Sequence, residues 1–234
     1  MICVHDPPVT DEWVAYTGYL GTLLAAAPCY VSWAELMEEE EPVLAAQPLV
    51  VYQEKECAWW QRRWRARHTR QALARMGVSV LVARAPRWPI RHILLVVRAE
   101  ASDATAVSWT EHLGVQAQAA VTLLPIIPAI PAIYRHGSRV QLPLPLLLDP
   151  HTACGHYLQL FCQRFLQQGI SSRISQRPGD PNHQIQEEIN AGVYDLVLIA
   201  AEPYSRIERW LLGELVSPLL RWIDRPVLIT RPTN

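Results

Sequence analysis

Tyr194–Arg231 reads YDLVLIAAEPYSRIERWLLGELVSPLLRWIDRPVLITR, and three pieces of it set the architecture. Tyr194–Ala200 is an apolar run broken only by Asp195, of the kind that forms a short strand covered on both faces. Arg206–Trp222 carries Ile207, Trp210, Leu211, Leu215, Leu219 and Trp222 at helical spacing. Pro226–Thr230 is a second apolar run. Strand, helix and strand in succession make a right-handed crossover, the unit from which parallel sheets are built.

The same alternation extends upstream. Ile93–Val97 and Val121–Ile127 read as strands. Between them, Asp103–Leu113 follows Ser102, a good N-cap, and Gly114 ends the pattern. His151–Gln168 aligns Leu158, Phe161, Cys162 and Phe165 in one stripe closed by Gly169, and Asn182–Asn190 is a shorter helix after Gly179-Asp180-Pro181. The first third reads as a compressed version of this scheme. Met1–His5, Pro28–Trp33, Pro48–Tyr52 and Val78–Ala83 are its strands, with helices over Glu12–Ala26 and through His68–Arg75. Leu49–Arg84 and Leu196–Arg231 each run strand, helix, strand, Arg, with a proline soon after, which is a weak internal repeat. Ala85–Arg91 (APRWPIR) is the natural junction, because its two prolines favour an extended path.

From Arg91 to Pro232 the order of elements and several motifs resemble the universal stress protein family. The matching pieces are ILLVV, the Trp-bearing helix Ala106–Leu113, VTLLPIIP, RPGDPNHQIQEEI (read as third strand, turn and short helix), YDLVLIAA and IERWLLGELVSPLLRWIDRPVLITR. The resemblance implies an α/β, three-layer α/β/α fold. Its C-terminal domain, residues 87–234, would hold a five-stranded parallel sheet in the order 3-2-1-4-5. Residues 1–86 resemble a shortened, degenerate second copy, joined through the terminal strands. Val80 and Leu81 would then meet Val227 and Ile229 antiparallel, each strand hiding the other's open edge.

ATP-binding members of that family carry a Gly-x-x-Gly and a later Gly-Ser/Thr after the fourth strand, with an Asp at the end of the first. Glycines let main-chain amides approach phosphate oxygens, and a helix start adds a favourable field. Here the corresponding positions hold Ala200, Pro203 and Gly213-Glu214, and Arg98 replaces the Asp. Pro203 has no N–H to donate. Ala200 adds a Cβ where backbone should come close. Glu214 places a carboxylate beside the phosphates, and two like charges at ~4 Å repel by roughly 4 kcal/mol at an effective dielectric of 20. ATP is therefore not expected to bind, and no cofactor is implied. The crevice at the strand carboxyl ends would persist, lined by Arg98, Ala200, Pro203, Gly213 and Glu214.

The whole-chain arithmetic excludes several alternatives. At 234 residues, 50% hydrophobic and 18% charged, the chain can bury a sizeable core and is not disordered. A net charge of -1 and a pI near 6.7 give no global attraction to nucleic acid or anionic membranes. The apolar stretches are too short and Pro-broken to span a bilayer, and the first residues do not read as a secretory signal. Cys3, Cys29, Cys57, Cys154 and Cys162 are odd in number without a C-x-x-C, which fits buried thiols in a reducing, cytoplasmic setting.

Two local patterns invite sharper readings. His151, Cys154 and His156 suggest a metal, but two histidines five apart on a helix point ~140° away from each other, so no metal site is expected. Trp59, Trp60 and Trp64 interleave with arginines, as in a single-stranded nucleic-acid binder. The acidic run Glu38–Glu41 and the near-neutral total favour a packed connector or protein interface instead. No G-x-S-x-G, H-E-x-x-H or P-loop is present, and Ser102, Ser108 and Ser175 have no evident local base. The sequence points to a non-catalytic regulatory or accessory protein that binds a partner or itself. The candidate contact residues are Trp59, Trp60, Trp64, Val80, Leu81, Val227 and Ile229. The alternative is a nucleotide or small-ligand sensor using the altered crevice.

Overall fold

The computed structural model describes residues 1–5, 9–32, 49–53, 78–126, 147–177, 179–201 and 215–231. Among these residues nine strands form one continuous sheet. They are β1 (Ile2–His5), β2 (Cys29–Ser32), β3 (Leu49–Gln53), β4 (Ser79–Ala83), β5 (His92–Val97), β6 (Ala120–Pro125), β7 (Ser172–Ile174), β8 (Leu196–Ala200) and β9 (Val227–Thr230). Their order across the sheet is β2-β1-β3-β4-β9-β8-β5-β6-β7. The five C-terminal strands thus follow the expected 3-2-1-4-5 pattern, all parallel. The four N-terminal strands among the described residues follow the inner four positions of the same pattern, also parallel.

The two sets join where β4 runs antiparallel to β9, with Val80 opposite Ile229, Leu81 opposite Leu228 and Val82 opposite Val227. Val80, Leu81, Val227 and Ile229 are all buried there. They serve contacts within the chain and leave neither strand edge open to another molecule.

Helices cover both faces, as the continuous apolar strands require. One face carries α1 (Asp11–Leu24), α2 (Ala104–Ala117) and α3 (Ala153–Gln167), whose Trp13, Tyr16, Leu20, Val107, Phe161 and Phe165 pack on the strands. The other carries α4 (Pro181–Ala191) and α5 (Val216–Trp222), through Ile185, Ile189, Leu219 and Leu220. The halves are also pinned away from the seam. The Ile90 amide donates to the Tyr19 hydroxyl at 2.9 Å, and the Arg84 guanidinium donates to the Ile223 carbonyl at 3.0 Å. Asp195 takes the amides of Arg91 and His92 at 2.8 and 3.0 Å, fixing the start of β5 beside β8.

Several local expectations need correction. Gly114 does not end α2. The helix runs on to Gln118, a left-handed cap at φ 51° whose N–H returns to the Gly114 and Val115 carbonyls. Gly114 is small because Ile170 lies against it, where a Cβ would approach the Ile170 Cδ1 at 3.0 Å. Ser102 is not an N-cap either; it lies inside a 3-10 turn, Ala101–Asp103, that opens with Glu100. The third strand, β7, precedes the quoted RPGDPNHQIQEEI stretch instead of beginning it. Among the cysteines, Cys3 is buried, but Cys29 is exposed and Cys154 and Cys162 are only partly covered. The helix expected through His68–Arg75, Cys57 and most of the helix expected over Arg206–Trp222 lie outside the described residues.

Candidate crevice at the strand ends

The chain leaves β5 for β6 and β7 on one side and returns through β8 and β9 on the other. The carboxyl ends of β5 and β8 therefore flank a switch point, the usual place for a crevice in an open α/β sheet. Arg98 follows β5 directly. Its guanidinium reaches across and donates from Nη2 to the carbonyl of Ala200, the last residue of β8, at 3.0 Å. The amide of Ala201, the next residue, donates to the Thr230 carbonyl at 2.7 Å and so extends the β8–β9 ladder. At this mouth a cation bridges the two strand ends, and the first main-chain amide beyond β8 is already committed.

Ala200 plays a different part from the one expected. Alternation along β8 puts Leu196, Leu198 and Ala200 on the α1–α3 face, so its side chain belongs to the core. Its carbonyl, held by Arg98, is what shapes the mouth. Pro203, Gly213 and Glu214 lie outside the described residues, as do Trp59, Trp60 and Trp64.

The turn that carries Arg98 is built around Asp103. Its Oδ2 accepts the amides of Arg98 at 2.8 Å and Glu100 at 3.2 Å. Glu100 and Asp103 also cap one another, each side chain taking the other's amide. Ala99, between Arg98 and Glu100, is buried and sits at φ 58°, a left-handed conformation that ordinary residues avoid. The Asp103 carboxyl is 1% exposed. Burial pushes it up to about 6, against the amides of Glu100 and Arg98 and the Arg98 charge, while the Glu100 charge adds to the rise.

A second polar cluster lies between α4 and the strands β6 and β7. The buried Glu188 carboxylate accepts from Ser175 Oγ and Arg177 Nε, each at 2.6 Å, and from the Tyr194 hydroxyl. Arg173 joins Tyr194 to Thr122, at 3.4 and 3.0 Å. Burial alone would raise the Glu188 carboxyl, but the bonds from Ser175, Tyr194 and Arg177 and the Arg177 charge hold it below its ordinary value. Ser175 thus has a carboxylate partner that local sequence did not reveal. That carboxylate takes three donors, and the cluster fastens α4 to the sheet.

Among the described residues no three His, Cys, Asp or Glu side chains are placed to hold a metal ion. His151 precedes α3, whose N-cap is Thr152, so it does not share a helix with His156. No described helix is long and apolar enough to cross a membrane.

Comparison with known proteins agrees with this architecture. In solved structures, a universal stress protein from Archaeoglobus fulgidus DSM 4304 shares the fold at TM-score 0.59 and 9% identity, covering 97% of this chain and 81% of that one. A functionally unknown protein from Pseudomonas aeruginosa PAO1 does so at TM-score 0.56 and 13% identity, covering 99% and 81%. No curated protein matches the chain in sequence. The model of the universal stress protein family matches residues 89–231, more than half of the chain, so this protein belongs to the universal stress protein family.

Proposed function

We propose that the chain is a non-catalytic, tandem member of its family that works by contact with a partner protein, and that its crevice no longer holds ATP. The observation that carries this reading is the Arg98–Ala200 bridge at 3.0 Å. A guanidinium anchored across the strand ends takes up room at the switch point, and the Ala201 amide is spent on β9. The sequence beyond supports the same conclusion, since Pro203 lacks a donor and Glu214 adds a negative charge beside the expected phosphates. Residues 1–86 act as a shortened second copy. They supply β4 as a built-in cover for the β9 edge and add α1 beside α2. With the crevice bridged, the surfaces left for function are those that meet other macromolecules.

Equilibrium titration with a fluorescent ATP analogue tests the reading. The expected result is no saturable binding into the high micromolar range. Saturation at low micromolar concentration, displaced by unlabelled ATP, overturns it.

A further inference from the structure

The two halves treat one position differently. Helices α1 and α2 are built alike: Thr17 and Thr110 each return a hydroxyl to the carbonyl four residues back, at 2.9 and 2.8 Å, and Ala25 and Gln118 each close the helix in the left-handed region. Counted from those caps, Val14 on α1 matches Val107 on α2, and Tyr30 on β2 matches Leu123 on β6. Val107 and Leu123 are both 0% exposed, in the core layer that α3 completes beside α2. Val14 and Tyr30 are 45% and 36% exposed. They form one patch, because Thr17 Oγ1 reaches both the Val14 carbonyl, at 3.2 Å, and the Tyr30 hydroxyl, at 2.6 Å. Beside it Gly18 is bare: a Cβ there would meet nothing within 4 Å.

The strand under this patch is open as well. The Cys29 amide donates to the Met1 carbonyl at 2.9 Å, so by the alternation of a parallel ladder the N–H and C=O of Tyr30 point away from β1. Among the described residues no strand lies on that side of β2. The far edge of the sheet, β7, carries the exposed Arg173, a charge of the kind that discourages edge pairing, whereas β2 carries none.

We propose that this edge and patch are a self-association surface, and that its occupant is a second molecule of the same chain. An outward N–H and C=O on one residue are self-complementary: two β2 strands set antiparallel about a two-fold axis at Tyr30 exchange both bonds. The pairing repeats between molecules the antiparallel join that β4 and β9 make within one. It sets the second molecule's α1 alongside the first, in the place that α3 holds beside α2, with Val14, Gly18 and Tyr30 of both turned inward. Pro28 has no N–H and ends the ladder, so the α1 faces supply most of the buried area. Such a contact lies at the small end of specific interfaces, with a dissociation constant of about 1–100 µM. It goes beyond the reading in which another protein is the partner, and stands or falls without it.

Sedimentation velocity of the full chain, with neither nucleotide nor partner present, tests the surface. The mass should rise from 26.5 kDa at about 1 µM toward twice that at about 200 µM. Val14→Lys and Tyr30→Lys set like charges across the axis and should each weaken association by about 10-fold or more, while the circular dichroism stays that of the parent. Leu166→Lys, at a 77% exposed position on α3, should leave association unchanged. Three results each overturn the proposal: a monomer at every concentration, a dimer that both Val14→Lys and Tyr30→Lys leave intact, or a dimer that Leu166→Lys dissolves. If Tyr30→Lys does not fold, Val14→Lys decides alone.

Discussion

Leu81 on β4 and Leu228 on β9 face each other directly across the antiparallel seam. They are 2% and 1% exposed and belong to the same core layer beneath α1 to α3. Truncating either to alanine removes well-packed methyl groups and leaves a cavity, which costs about 3 kcal/mol per site. If the seam is a single core, the remaining leucine of each mutant has already lost its partner, so the second truncation costs less than the first. The coupling between directly opposed apolar residues is about 1 kcal/mol, and the double mutant should lose about 5 kcal/mol rather than 6. Urea unfolding followed by far-ultraviolet circular dichroism measures all four corners of the cycle. A whole-chain stability of about 5–15 kcal/mol leaves little margin for the double mutant. Leu81→Val and Leu228→Val, at about 1 kcal/mol each, provide a milder cycle with the same logic. Each protein should unfold in one transition, because removing β4 uncovers the edge of β9. Costs that add within 0.3 kcal/mol, or two transitions of which Leu81→Ala shifts only one, would refute the claim that the halves share a core.

The remaining predictions concern the polar cluster and two helical glycines. Glu188→Gln should cost about 3 kcal/mol at neutral pH, because Arg177 and the Ser175 and Tyr194 hydroxyls lose a buried ionised acceptor. Since the carboxyl is held below its ordinary value in the fold, its contribution is present above that value and lost as pH falls through the depressed one. The parent's stability should therefore fall in acid below about pH 4 while the Gln variant's falls less, as a urea series from pH 3 to 7 would record; equal slopes would contradict the assignment. Gly155→Ala in α3 should lower the melting temperature, because its Cβ would lie 2.1 Å from the Asp149 carbonyl oxygen and backbone must move, at a net cost of about 2 kcal/mol. Gly18→Ala in α1, where nothing lies within 4 Å, should raise stability by about 0.5–1 kcal/mol. Thermal melts showing the same sign for both glycines would overturn the packing argument.

What could be read from sequence here divides along a physical line. Strands covered on both faces announce themselves as apolar runs, so ILLVV, YDLVLIA and VSVLVA overlap β5, β8 and β4, the last two beginning two and one residues later than read. The seam was expected from the family resemblance, in which terminal strands pair, and the apolar edges of both strands give it a physical reason. Punctuation was less secure. A glycine after a helical stretch signals a cap or a close approach equally well, and Gly114 proved to be the second, making room for Ile170. Charged residues were the hardest to place. Arg98 stood out as a substitution, but its partner, the Ala200 carbonyl, is 102 positions away and carries no side-chain signal. Asp103 read as an ordinary early helix residue. Its importance lies in being buried, and burial is a property of the surrounding layers that no local pattern encodes.

A basic residue after β5 is held across the mouth because a strand-end carbonyl lies within its reach. The turn behind it can be bent into the left-handed region because Asp103 collects the amides that the bend exposes. Replacing Arg98 alone would therefore remove the bridge but leave the turn, with Asp103 still buried and Ala99 still at φ 58°. Clearing Arg98 from the switch point and building a phosphate site there would be separate changes. The second also requires main-chain amides beyond β8, and the first of these, that of Ala201, belongs to the sheet.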